Sequence, residues 1–177
     1  QAAQRSASKS HYDFAIRMYN VTLKAFPDHP NRKKLAFFRG EALYNQGKFI
    51  DASNSYMMAA KMAPKDKITD EAVYNALLSL DGLTSKASTL DRYSKDDQNT
   101  VSMVKEEIPE AEKRFLEVGE FYLSEYPQGE RVVDVRFRIA GIYYRRHHFD
   151  DAQERFKEIA LQHPNHRGAT TAAHIVL

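Results

Sequence analysis

The sequence predicts an all-α protein built from stacked pairs of antiparallel helices, and three observations carry that reading. First, LAFFRGEALYNQGKFIDASNSYMMAAKMAP (35–64) is echoed one hundred positions later: Phe37, Tyr44, Phe49, Asp51, Ala52, Ala60 and Pro64 recur as Phe137, Tyr144, Phe149, Asp151, Ala152, Ala160 and Pro164. Second, each copy reads as two short helices joined by a tight turn. Gly40 and Ala140 lie one turn before a tyrosine, and Ala52 and Ala152 stand four residues before Tyr56 and Phe156, on one helix face. Third, a helix pair of this size cannot bury its apolar face alone and must stack on a neighbour.

The elements follow in order. Residues 1–8, QAAQRSAS, are small and polar and are expected to fray. From Lys9 to Pro27, Tyr12, Ala15 and Tyr19 have the spacing of the second helix of a pair whose first helix is missing, giving a half unit over about 9–27. Asn31 is a candidate N-cap for the first complete pair, helices at 33–46 and 49–63 separated by Gly47, which tolerates the positive φ that ends a helix. Thr69 or Asp70 can cap the next helix, whose Val73, Ala76, Leu77 and Leu80 form an apolar stripe. This unit spans about 69–127 and is interrupted near 85–107 by a polar insertion, with a helical lead-in expected through Val101, Val104 and Ile108. Pro109 suits the first turn of a helix that runs to Pro127. Helices at 131–146 and 149–163 make the second complete pair, within a unit at 131–164, and 168–177 opens one more. The period, Pro27 to Pro64 and Pro127 to Pro164, is 37 residues.

The residues just named carry a family resemblance. Gly40, Tyr44, Gly47, Phe49, Ala52, Tyr56, Ala59 and Pro64 resemble the signature of a tetratricopeptide repeat (TPR), and Ile139, Ala140, Tyr143, Phe149, Ala152, Phe156 and Pro164 resemble a second. Departures bear on local packing: Ala36 and Arg136 stand where the family often has tryptophan, Arg39 replaces a leucine, His147 the turn glycine and Ile159 an alanine. The resemblance implies a right-handed superhelical solenoid of about four TPR-like units. The 37-residue period, against ~34 in the usual unit, together with the YP helix endings and FDDA turn, is similar to bacterial cell-envelope members. These are the periplasmic TPR proteins associated with the Tol–Pal system and the TPR lipoprotein of the outer-membrane protein assembly machinery.

Composition narrows the function classes. The chain has 177 residues, seven glycines, six prolines, no cysteine and a formal charge of +2. That excludes disulfides, thiolate catalysis and a strong field for nucleic acid or anionic membrane. No apolar run is long enough for a membrane span, and no signal peptide opens the sequence, which is expected to be a single solenoid fragment of a longer protein.

Catalytic and metal chemistry find little to stand on. His147 and His148 are adjacent, so they point to different sides and are expected to be solvated turn residues rather than metal ligands. Asp91, Asp96 and Asp97 lack the rhythm of a calcium loop. No phosphate loop, nucleophile elbow or zinc-protease motif is present, and neither enzyme activity, metal nor cofactor is expected. Arg136, Arg138, Arg145 and Arg146 form a basic edge, read as solvated and balanced by Asp134, Asp150 and Asp151, so no nucleic-acid partner is expected.

The resemblance places the first helix of each pair on a concave face. It would present Phe37, Phe38, Glu41, Tyr44 and Asn45, then Tyr74, Asn75 and Leu78, then Phe137, Arg138, Tyr144 and Arg145. Rings beside polar groups are what peptide or helix hot spots look like. The expectation is therefore a non-catalytic scaffold for protein segments in a bacterial envelope complex, periplasmic or outer-membrane-associated, with self-association through exposed terminal helices as a further mode. The alternatives are a regulatory or nucleic-acid-associated repeat using the basic edge, and a purely structural spacer.

Overall fold

The computed structural model describes residues 2–85, 104–166 and 168–176. The described residues form helices α1 (Ala2–Ala25), α2 (Arg32–Asn45), α3 (Phe49–Ala60), α4 (Lys67–Ser85), α5 (Glu110–Glu125), α6 (Val132–Arg145), α7 (Phe149–Gln162) and α8 (Ala169–Val176), and no strand occurs among them. The chain divides into two compact units, Gln1–Leu83 and Thr84–Leu177.

In the first unit, α2 packs between α1 and α3. The three residues between α2 and α3 leave room only for an antiparallel hairpin. Gly47 takes φ +74° there, its N–H donating to the carbonyl of Tyr44 (2.8 Å) and that of Lys48 to Leu43 (3.0 Å), the pair of bonds that closes a helix on a left-handed residue. Inside the hairpin Gly40 is buried against Tyr56: a Cβ on Gly40 would lie 2.7 Å from two Tyr56 ring carbons, so only glycine lets the helices approach this closely. Ser55 Oγ donates to the Ala36 carbonyl (2.8 Å), and Arg39 Nε donates to Ser55 Oγ (2.7 Å). Burial pushes the Arg39 guanidinium below its ordinary pKa, an effect that Asp51 opposes.

Two capping details differ from the sequence reading. Asn31 occupies the N-cap of α2, but its side chain makes no capping bond; its N–H instead donates to His29 Nδ1 (3.0 Å). The start of α4 belongs to Asp66 rather than Thr69 or Asp70. Asp66 Oδ1 accepts from the Thr69 N–H (3.1 Å) while Thr69 Oγ1 accepts from the Asp66 N–H (3.1 Å), a reciprocal box that satisfies two donors at once. Buried Lys33 reaches into this cap, donating to Asp66 Oδ1 (3.0 Å), Thr69 Oγ1 (2.7 Å) and the Pro64 carbonyl. The ammonium holds the Asp66 carboxyl below its usual range. Residues 2–8 belong to α1 instead of fraying: the stretch is rich in alanine, the best helix former, and contains neither glycine nor proline.

The second unit repeats the arrangement. Phe137 meets Phe156 edge-on (5.4 Å, 73°) as Phe37 meets Tyr56 (5.5 Å, 64°), and Tyr144 meets Phe149 (5.6 Å, 73°) as Tyr44 meets Phe49 (5.3 Å, 66°). Ala140, Ala152, Phe156, Ile159 and Ala172 form one buried cluster. His147 takes the place of Gly47 with φ +59° and the same closing bonds, a left-handed conformation that costs a residue with a Cβ roughly 1–2 kcal/mol. The turns between pairs also recur. Bonds from the N–H of Phe26, His29, Arg32 and Leu35 to carbonyls three or four residues back are reproduced at Tyr126, Gly129, Val132 and Val135, and at His163, His166, Ala169 and Ala172.

The insertion behaves differently from its expected lead-in. Val101 lies outside the described residues, as do Asp91, Asp96 and Asp97, but residues 104–109 are not helical. Their polar groups are engaged elsewhere: the Glu106 N–H donates to the Arg146 carbonyl (2.9 Å), and the Val104 and Glu106 carbonyls lie 3.2 and 2.9 Å from His147 Nδ1 and His148 Nε2. Pro109 is the N-cap of α5, one residue before the helix, with Glu110 and Glu112 at its positive end.

Candidate functional site

The residues named for a binding face fall into two groups, one in each unit. In the first unit, Glu41 on α2 is the hub. Its Oε1 accepts from the Tyr56 hydroxyl (2.5 Å) and from Asn75 Nδ2 on α4 (3.2 Å), and its carbonyl accepts from Asn45 Nδ2 (2.8 Å). Burial, then the bond to Glu41 and its negative charge, push the Tyr56 hydroxyl well above the usual tyrosine pKa. The Glu41–Asn75 bond links α2 to α4, and rings and apolar chains flank it. Phe38, one turn before Glu41, is 50% exposed; Tyr44, three residues after it, is 42% exposed; Leu78, one turn after Asn75, is 40% exposed. Phe37 is half-buried between Phe38 and Tyr56, and Tyr74 is half-buried on α4. All eight first-unit residues therefore lie on or beside one face of α2 and α4.

In the second unit the named residues are more deeply engaged. Phe137 and Tyr144 are half-buried and pack on Phe156 at the edge of the core cluster. The Arg138 guanidinium lies 4.8 Å from the centre of the Phe115 ring and donates to Thr84 Oγ1 (3.2 Å). Arg145 and Arg146 converge on Glu112 of α5. Arg146 binds it with two prongs, Nε to Oε2 at 2.7 Å and Nη2 to Oε1 at 3.2 Å, and also reaches Glu106 (3.1 Å); Arg145 Nη2 stands 3.7 Å from Oε1. Desolvation lowers the pKa of Arg138 and of Arg145, and each also feels a neighbouring arginine. Arg146 goes the other way, raised chiefly by its hydrogen bond to Glu112.

The basic edge is thus packed rather than solvated, and Arg136, Arg145 and Arg146 pair with glutamates rather than with the expected acids. Arg136 pairs with Glu158, while Asp134, Asp150 and Asp151 face His166, Lys105 and His148. His147 is buried, stacked on Phe149 (5.5 Å) with its Nδ1 3.2 Å from the Val104 carbonyl. Among the described residues no group of His, Asp or Glu is placed to hold a metal ion, and no helix is long and apolar enough to cross a membrane.

Two buried charge contacts escaped the sequence reading although a signal was present. Glu112 precedes Phe115, Val118 and Tyr122 at helical spacing, and Lys33 precedes Ala36, Gly40 and Leu43 in the same way, so both charges stand on apolar stripes. A charge on such a stripe is buried only with a partner, and here each has one.

No protein-family profile matches the chain, and no curated protein matches it.

Proposed function

We propose that this chain is a TPR-type, non-catalytic scaffold that captures a helical or extended protein segment on the face formed by α2 and α4. The observation that carries this reading is the half-exposed row of Phe38, Tyr44 and Leu78 around the fixed Glu41–Asn75 bond. Large rings contribute contact area at small entropy cost, the amide and carboxylate fix register, and a network already bonded before the partner arrives loses little freedom on binding. In this reading the helix pairs continue as a right-handed superhelix, and the spacing, YP endings and acidic turn point to a bacterial envelope complex in the periplasm or at the outer membrane.

Capture from a bacterial envelope extract tests it. Phe38→Asp with Leu78→Asp should lose the partner recovered by the natural chain, whereas Asn54→Asp, exposed on α3, should retain it. Equal recovery with both variants would remove the α2–α4 face from the account.

A further inference from the structure

The carboxylate at the centre of the α2–α4 face is held by neutral groups. Glu41 is half-buried, and the two side chains that donate to it, the Tyr56 hydroxyl and the Asn75 amide, carry no charge. Both bonds fall on Oε1, so Oε2 has no donor among the described residues. Three of the four basic residues of α2 are committed elsewhere: Arg32 donates to the Leu23 carbonyl (2.8 Å), Lys33 sits in the Asp66 cap, and Arg39 bonds Ser55 and Asn20. The fourth, Lys34, is exposed two turns before Glu41, about 10 Å along the helix. On α4 the one basic residue, Lys67, pairs with Glu71 (3.7 Å), and Asp81 follows Leu78 by one turn on the same face.

A partner that covers Phe38 and Leu78 also takes water away from Glu41. Stripping a carboxylate of water is costly unless a cation replaces what it loses. We infer that the partner is a basic apolar segment, one that presents a single lysine to Glu41 between side chains that cover Phe38 and Leu78. Its ammonium makes a charge-assisted bond to Oε2. An arginine fork would need both oxygens, and Oε1 already accepts two bonds, so a point charge suits the site better than a planar one. Glu41 then acts as a selector: an acidic or wholly apolar segment leaves its carboxylate dry and unpaired, and is rejected even where its shape fits. The inference rests on the proposed α2–α4 binding face and adds the chemistry of its occupant.

Selection of random phage-displayed peptides on the 177-residue chain is the test, with circular dichroism as the check on folding. The natural chain should enrich peptides with one lysine among apolar residues, and Phe38→Asp with Leu78→Asp should lose them. Glu41→Gln keeps an acceptor for Tyr56 and Asn75 while removing the charge, so selection on this variant should return apolar peptides without the lysine. In fluorescence anisotropy, replacing the lysine of an enriched peptide by norleucine should weaken binding at least about tenfold on the natural chain and less than about threefold on Glu41→Gln. Peptides that depend on Phe38 and Leu78 yet carry no lysine, or a lysine preference that survives Glu41→Gln, would overturn the inference and leave the binding face standing. Peptides indifferent to the Phe38 and Leu78 changes, or a selection that enriches none, would remove the face and the inference with it.

Discussion

Gly40→Ala probes the closest approach in the first hairpin. The added methyl group would sit 2.7 Å from Cδ1 and Cε1 of Tyr56 and 3.0 Å from Cγ, inside any relaxed contact. The ring is poorly placed to move away, since its hydroxyl is bound to Glu41 at 2.5 Å and Phe37 meets it edge-on. Overpacking of this kind costs about 2–3 kcal/mol, and the better helix propensity of alanine returns about 1 kcal/mol. The net loss is therefore about 1–2 kcal/mol, a drop in Tm of roughly 3–6 °C for a chain of this size. Thermal and urea melts followed by circular dichroism read it directly. The second unit supplies the control, because Ala140 already faces Phe156 there. Adding Tyr56→Phe to Gly40→Ala frees the ring from Glu41 and lets it shift, so the double variant should lose less than the sum of the singles by at least about 0.5 kcal/mol. A Gly40→Ala chain as stable as the natural one, or additive singles, would refute the argument.

Other outcomes follow from the same contacts. At the paired turns, Gly47→Ala should lose about 1 kcal/mol although the space around Gly47 is open, and His147→Ala should be less stable than His147→Gly by about the same amount, because φ +74° and +59° penalise any Cβ; urea midpoints would show both. Glu112→Gln should destabilise the second unit by about 3 kcal/mol, since it strands Arg145 and Arg146 with Glu106 as the remaining acid. Lys33→Met should raise the Asp66 carboxyl, read by carbon-detected NMR titration. The sign follows from the depressed folded value: the stabilisation is present above the ordinary carboxylate pKa near ~3.9 and is lost as pH falls through the folded one, and the variant should lose that acid-side dependence.

Much of this architecture was legible because it is written in repeated small and aromatic residues. The hundred-residue echo located both hairpins to within a few residues, and Gly40, Ala52, Ala140 and Ala152 are all buried where the spacing puts them. Gly47 announced its positive φ. His147 did not, because histidine at that position gives no sign of a left-handed backbone; only its alignment with Gly47 does. The caps were harder. Asp66 captured the start of α4 because its side chain and that of Thr69 can satisfy one another, a reciprocity that propensity for either residue alone does not reveal. Charge pairing was least legible. The sequence-local acids Asp134, Asp150 and Asp151 looked like partners for the arginine edge, but Glu112 and Glu106, more than thirty residues away, are brought to it by the packing of α5 on α6 and by the contacts of Val104 and Glu106 with the turn after α6. The row of rings beside polar groups in the first unit was visible in the sequence, yet nothing local to Glu41 foretold that it would bind both Tyr56 and Asn75.

Site-specific photocrosslinking in a bacterial envelope fraction tests the binding account most directly. A photoreactive phenylalanine analogue replaces Phe38, Leu78 or Asn54 in turn. The account predicts the same protein adduct from positions 38 and 78 and none from position 54, because the first two flank the Glu41–Asn75 bond while Asn54 lies exposed on α3. Adducts of equal yield at all three positions, or none at 38 and 78, would contradict it.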